Sequence, residues 1–268
     1  MVFKKSNRNI LAWWHSNEGI FIFGDELNPY LIKNISGRDV TRVDHIPRFA
    51  LSKINICIGS VIVIARPSCN VWGAGIIERS AKISKSNYFA VRGRHTQKRM
   101  ATLGIEPPKT IGDPALLLPL YYQPNIEKQF DYGITPHIVD YEFLESHTKL
   151  HGVSVIDFTK PDIEEVIDDI LACKLIISSS LHGIIVANAY HIPAIWVKFS
   201  DRLYGDDIKF YDYFSSVGVD ESIKPILIDP AHLDQAQIIE VAKKNLIRPD
   251  AKFIAQVQQN LLDVCPFK

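Results

Sequence analysis

The sequence predicts an α/β fold of two Rossmann-like domains facing across a cleft, with a helical C-terminal tail. Three observations predict it. Short apolar runs are continuous rather than alternating, as strands buried on both faces of a parallel sheet require. Segments with helix start and stop signals lie between those runs. A polar stretch at 119–128, opened by Pro119, divides the series in two.

In the first half, ILAWW (10–14), NICIGS (55–60), CNVWGAG (69–75) and YFAVRG (88–93) read as strands. ELNPYLIKNIS and the segment from Thr96 to Leu103, stopped by Gly104, read as helices. In the second half, YGITPHIVD (132–140), VSVIDF (153–158), LIISS (175–179) and Ala194 to Val197 read as strands. Helices are expected from Tyr141 to Leu150, over KPDIEEVIDDILACK, and from HGIIVANAYH, which opens at the serines. Ile163, Val166, Ile167, Ile170 and Leu171 fall at helical spacing behind an acidic first turn. The tail, QAQIIEVAKKNLI and AKFIAQVQQNLLDV with Pro249 between, reads as two helices or one broken helix. The expected boundaries are 1–122, 123–234 and 235–268, the last packing back on the first.

The composition, 47% hydrophobic and 22% charged, suits a globular protein with a sizeable core. Thirty Lys and Arg balance thirty Asp and Glu, so general nucleic-acid binding is not expected. An anionic ligand must be met by local cations. The four cysteines, Cys57, Cys69, Cys173 and Cys265, show neither CxxC pairing nor zinc spacing, which fits a reducing cytoplasm. No stretch reads as a signal peptide or a membrane span, so at most peripheral membrane contact is expected. No metal-ligand cluster is visible.

In open parallel sheets, ligands sit outside the carboxyl ends of the strands, so the unusual residues there are the candidates. Gly24-Asp25 precedes a helix, where Asp25 reads first as an N-cap and second as a cleft edge. Gly73 and Gly75 follow a strand and permit a tight turn or a close ligand approach. VRGRHTQKR (91–99) crowds Arg92, Arg94, His95, Lys98 and Arg99 at a strand-to-helix junction. A helix start with arginine forks suits phosphate or carboxylate. Arg92 is the expected ligand, while Lys98 and Arg99 read as a solvated face. Asp113, before Pro114, reads as fixing a turn. His137 ends the first strand of the second half at the expected cleft. In KLIISSSLHGIIVANAYHIPAIWV (174–197) a buried strand runs into a helix whose first turn holds Ser179, Ser180 and His182. Hydroxyls and free amides there can hold an anion beside an imidazole.

Taken together, FGDEL (23–27), GSVI (59–62), VWGAGI (71–76), FAVRG (89–93), IGDPALLLP (111–119), TPHIVD (135–140), SSSLHGIIVANAYHIPAIWV (178–197) and GDDIKFYDYFSSVGV (205–219) resemble the polysaccharide pyruvyl transferase family. The resemblance runs from about residue 10 to 219. It implies a GT-B-like fold and transfer of pyruvyl from phosphoenolpyruvate to two hydroxyls of a sugar. The product is a ketal, and phosphate is released with no cofactor. It further implies envelope polysaccharide assembly, such as exopolysaccharide or capsule, on a lipid-linked saccharide at the inner face of the cytoplasmic membrane. By motif position, Arg92, Ser179, Ser180 and Leu181 resemble the donor site. His182 resembles the catalytic histidine, with His137 as a second. Some members carry arginine where this chain has Ser180, so Lys198 or Lys209 is expected to supply the missing charge. Asp25, Gly73, Gly75 and Arg94 are expected on the acceptor side of the cleft. The alternatives are a GT-B glycosyltransferase using a nucleotide sugar and a non-catalytic saccharide-binding partner. The sequence does not name the sugar, the hydroxyl pair or the oligomeric state.

Overall fold

The computed structural model describes residues 9–16, 21–47 and 51–268. Two parallel sheets organise them. The first holds β1 (Ile10–Ala12), β2 (Val40–Arg42), β3 (Ile54–Ile56), β4 (Cys69–Trp72), β5 (Asn87–Val91) and β6 (Thr110–Ile111), in the order β2-β1-β3-β4-β5-β6. The second holds β7 (Phe130–Thr135), β8 (Val153–Val155), β9 (Cys173–Ser178), β10 (Ala194–Lys198) and β11 (Ile226–Leu227), in the order β11-β10-β9-β7-β8. Each pairing within these sheets is parallel. The strand interiors are apolar on both faces because both faces are covered, as Ile54, Ile56, Ile176 and Ile177 illustrate.

The crossovers carry α1 (Phe23–Ser36), α2 (Arg94–Thr102), α3 (Ile138–His147), α4 (Ile163–Leu171), α5 (Leu181–Ala189) and α6 (Ile208–Val217). Helix α4 has one apolar stripe and an Asp162 cap that accepts from the amides of Glu164 and Glu165. Helix α5 is apolar nearly all round and correspondingly central. One core cluster runs from Trp72, Leu27 and Leu117 of the first half to Ile184, Ile176 and Phe214 of the second. The two halves are therefore packed together as well as facing one another. The sheets have private cores on their outer faces and share a third between them.

Three local expectations are corrected. Helix α1 opens at Phe23 with Ile22 in the N-cap position, so Asp25 lies inside the first turn and caps nothing. Strand β7 stops at Thr135 and α3 starts at Ile138, because Pro136 ends the strand and His137 takes the N-cap position. Within the expected tail, α7 (Gln235–Val241) puts Ile238 and Val241 into the private core of the second sheet. Only α8 (Ala251–Asp263) reaches the first half, where its Leu261 carbonyl accepts from Trp72 Nε1 at 3.0 Å. Gln258 Nε2 also donates to the Leu116 carbonyl at 2.7 Å.

Candidate functional site

The carboxyl ends of both sheets converge on one cavity of about 320 Å³. The turn after β3 contributes Ser60, that after β7 contributes His137, and that after β9 contributes Ser180 and His182. Helix α1 brings Gly24 and Asp25, and α6 brings Lys209. A backbone bond from the Phe23 amide to the Phe158 carbonyl, 2.9 Å, ties the first half to the second at this level.

Three helices begin on the cavity wall: α1, α3 and α5, with Ile22, His137 and Ser180 in their N-cap positions. None of these three caps accepts a hydrogen bond with its side chain. Helices α4, α7 and α8 start elsewhere, and each has an aspartate cap, Asp162, Asp234 or Asp250. At α3 and α5 first-turn amides are thus left for an anion, with the positive helix ends behind them, whereas in α1 the amides of Phe23 and Asp25 are taken by the carbonyls of Phe158 and Ile22.

The serines that interrupt the apolar run divide the work. Ser178 Oγ donates to the carbonyls of Thr135 and Ser180, fixing the turn against β7. Ser179 Oγ accepts from the His137 amide at 2.9 Å and so registers the start of α3 against that of α5. Ser180 and Leu181 line the cavity itself.

His182 stands at the centre of this arrangement. Its ring lies where a Cβ on residue 24 would go, so α1 can approach α5 only with glycine at that position. Burial pushes its imidazole pKa down to about 3, with Arg92 and Lys209 adding to the shift. His137 is pushed down to about 4, mainly by burial and then by Lys209, against the opposing pull of Asp140. Both rings are neutral at physiological pH. His182 Nε2, His137 Nδ1 and Thr135 Oγ1 are buried without a hydrogen-bond partner among the described residues. Buried polar atoms are normally paired, so the two histidine nitrogens, on residues that line the cavity, point to a polar ligand. Thr135 is not on the wall; its hydroxyl lies against Gly183 of α5.

Arg92 is not on the cavity wall. Its side chain is fully buried, with Nε 3.2 Å from Asp212 Oδ2. It also donates to Ser60 Oγ at 2.7 Å and to the Ile76 carbonyl at 2.5 Å. Asp212 accepts from the Thr96 amide and hydroxyl as well. Expected as a direct ligand, Arg92 instead lies one layer behind the wall and holds Ser60, which lines the cavity. Gly75 makes room for the guanidinium, since a Cβ there would lie 2.5 Å from Arg92 Cζ. Gly73 has φ +98° and packs on Pro114, which identifies a structural turn. Arg94 is exposed at the start of α2, with its amide donating to Ser215 Oγ. Gly73, Gly75 and Arg94 are all absent from the cavity wall.

Of the two lysines, only Lys209 lines the cavity. Burial lowers its pKa to about 8, helped by Arg92 and Lys198 and opposed by Asp207. Lys198 is held in an ion pair, Nζ to Asp207 Oδ2 at 2.5 Å. Asp25 is the one carboxyl on the wall among the described residues, and burial followed by Glu26 raises its pKa to about 7. Sequence reasoning missed Ser60 and the exposed His15 on the wall, and Asp212 behind it. Their roles arise from contacts between segments far apart in the chain.

A protein of Acanthamoeba polyphaga mimivirus, described as uncharacterized protein L143, is 30% identical over 261 residues, covering 89% of this chain and 85% of its own. The family model described as polysaccharide pyruvyl transferase matches residues 20–201, which takes in Asp25, Arg92, His137 and His182. With more than half of its length matched, this chain belongs to the polysaccharide pyruvyl transferase family.

Proposed function

We propose that the chain transfers the pyruvyl group of phosphoenolpyruvate to two hydroxyls of a saccharide, forming a ketal and releasing phosphate. The observation that carries it is the meeting of three helix starts without side-chain caps, Lys209, and two neutral histidines with unpartnered nitrogens in one cavity. The cavity, about 320 Å³, is at the small end of ligand pockets and suits a compact polyanion. The two parallel sheets, with the cavity at their strand ends, support reading the fold as a GT-B-like arrangement.

In this reading, the amides at the start of α5 and the ammonium of Lys209 bind the donor's anionic groups. Lys209 supplies the charge that an arginine at Ser180 would otherwise bring. Arg92 adds charge from one layer below and orients Ser60. A trianion beside His182 raises the histidine's pKa from its resting position, so Nε2 hydrogen-bonds the phosphate more strongly as that group departs. His137, at the start of the neighbouring helix α3, orients the acceptor. The acceptor is expected to be lipid-linked, with the protein at most peripheral to a membrane at its cytoplasmic face. No helix among the described residues is long and apolar enough to cross one.

Incubation with phosphoenolpyruvate and a panel of lipid-linked oligosaccharides, followed by mass spectrometry, tests the reading. One acceptor should gain pyruvate less one water while phosphate is released. Consumption of a nucleotide sugar instead, with phosphoenolpyruvate untouched, would overturn it.

A further inference from the structure

Pyruvyl transfer requires a group that delivers a proton to the methylene carbon of the donor near neutral pH. The groups that face the cavity are His182 from α5, His137 at the start of α3, Lys209 from α6, Asp25 from α1 and His15 from the segment after β1. Glu26 neighbours Asp25 on α1, and Arg92 lies behind the wall. His182 and His137 are held neutral by burial and by the nearby cations, so neither carries a proton to give in the resting site. Lys209 is protonated, and a bound trianion holds that proton more tightly still.

We infer that Asp25 is the general acid that protonates the donor's methylene, an assignment that rests on the proposed pyruvyl transfer. Two geometric observations carry it. Asp25 is the one carboxyl on the cavity wall among the described residues. It also follows directly on Gly24, against which the His182 ring is packed, and Asp25 and His182 line the same cavity. Its raised pKa is consistent with a proton held near neutrality. A carboxyl sharing a cavity with a trianion cannot remain ionised without repulsion, so donor binding raises its pKa further.

The proton and charge balance closes around this residue. Asp25 gives its proton to the methylene, which becomes the methyl group, and the adjacent carbon becomes cationic in character. The new carboxylate stabilises that centre. The first acceptor hydroxyl attacks the same carbon and returns its proton to Asp25. The C–O bond to phosphate then breaks as the second hydroxyl attacks, and its proton leaves with the phosphate. One proton ends on the methyl group and one on phosphate, and Asp25 is restored.

Asp25→Asn copies the neutral shape but has no acidic proton. With phosphoenolpyruvate as the probe, calorimetry near pH 7.5 in two buffers of different ionisation enthalpy reads the protons taken up on binding. Wild type should take up a fraction of a proton that Asp25→Asn does not, while the variant binds the donor at least as tightly. With glycerol as a surrogate diol, phosphate release should fall about 10²–10⁴-fold in the variant. The wild-type rate should also decline on the alkaline side. Equal proton uptake in the two proteins, or near-wild-type phosphate release by Asp25→Asn, would overturn the assignment to Asp25 and leave the pyruvyl-transfer reading intact. Absence of phosphoenolpyruvate binding by wild type would overturn both. Should Asp25→Asn fail to fold, Asp25→Ser, which also lacks an acidic proton, takes its place in both measurements, with the same expected and overturning results.

Discussion

At Gly24 a single hydrogen in place of a methyl group lets the His182 ring sit against α1. Gly24→Ala should displace either the ring or the helix. Turnover should fall by at least about tenfold, with a loss of about 1–3 kcal/mol typical of overpacking, read by thermal unfolding beside an activity assay. His182 leaves a second signature. Its pKa is lowered in the folded state, so below about pH 6.5 the unfolded chain binds a proton that the folded chain refuses until about pH 3. Stability from this residue is therefore complete above pH 6.5 and lost as pH falls toward 3. Near pH 5 the loss is about 2 kcal/mol. Asp25 and Asp113, whose pKa values are raised to about 7 and about 6, work in the opposite direction and lose stability as pH rises through those values. His182→Gln should remove only the acid-side term. Its melting temperature should then drop less than that of wild type between pH 7 and pH 5; an equal drop would contradict the buried, neutral assignment.

Among the elements, α6 is the one whose position depends most on buried charge. Asp212 on its inner face pairs with Arg92 and takes two hydrogen bonds from Thr96, and Lys209 lies one turn earlier on the cavity side. Gly93 lets α6 come this close, because a Cβ there would overlap the Asp212 carbonyl oxygen. Arg92→Met leaves Asp212 buried without its counter-charge and should cost about 3–5 kcal/mol. Adding Asp212→Asn should recover part of that stability but not donor affinity, since the charge behind the site is gone. Thermal unfolding and donor titration of the single and double variants separate the two effects. The same network explains why α6 was not read from the sequence. Asp212, Ser215 and Ser216 are buried polar residues on its inner face, so the apolar stripe that marks α4 is broken there. Strands β2, β6 and β11 were missed for another reason: they are short and none of their residues is fully buried, so they carry no apolar run. The long apolar strands and α4 were legible because burial on both faces, or on one stripe, dictates their composition. His182 was legible as a candidate because an imidazole in a small-residue turn has no packing explanation. The Gly24 contact and the burial of Arg92 were not, since both depend on how the two halves meet.

At the scale of the whole molecule, the halves do not float on either side of a cleft. A shared core joins them, and α8 ties the end of the chain to the first half through Trp72. The cavity wall is thereby drawn from both sheets with few degrees of freedom, as pre-organised binding of a small polyanion requires. The most direct test of this account is a crystal structure of the protein with phosphoenolpyruvate. The phosphate and carboxylate should lie in the cavity against the first-turn amides of α5, within reach of Lys209 Nζ and His182 Nε2, with Asp25 facing the methylene carbon. An empty cavity at saturating phosphoenolpyruvate, or donor bound elsewhere, would contradict it.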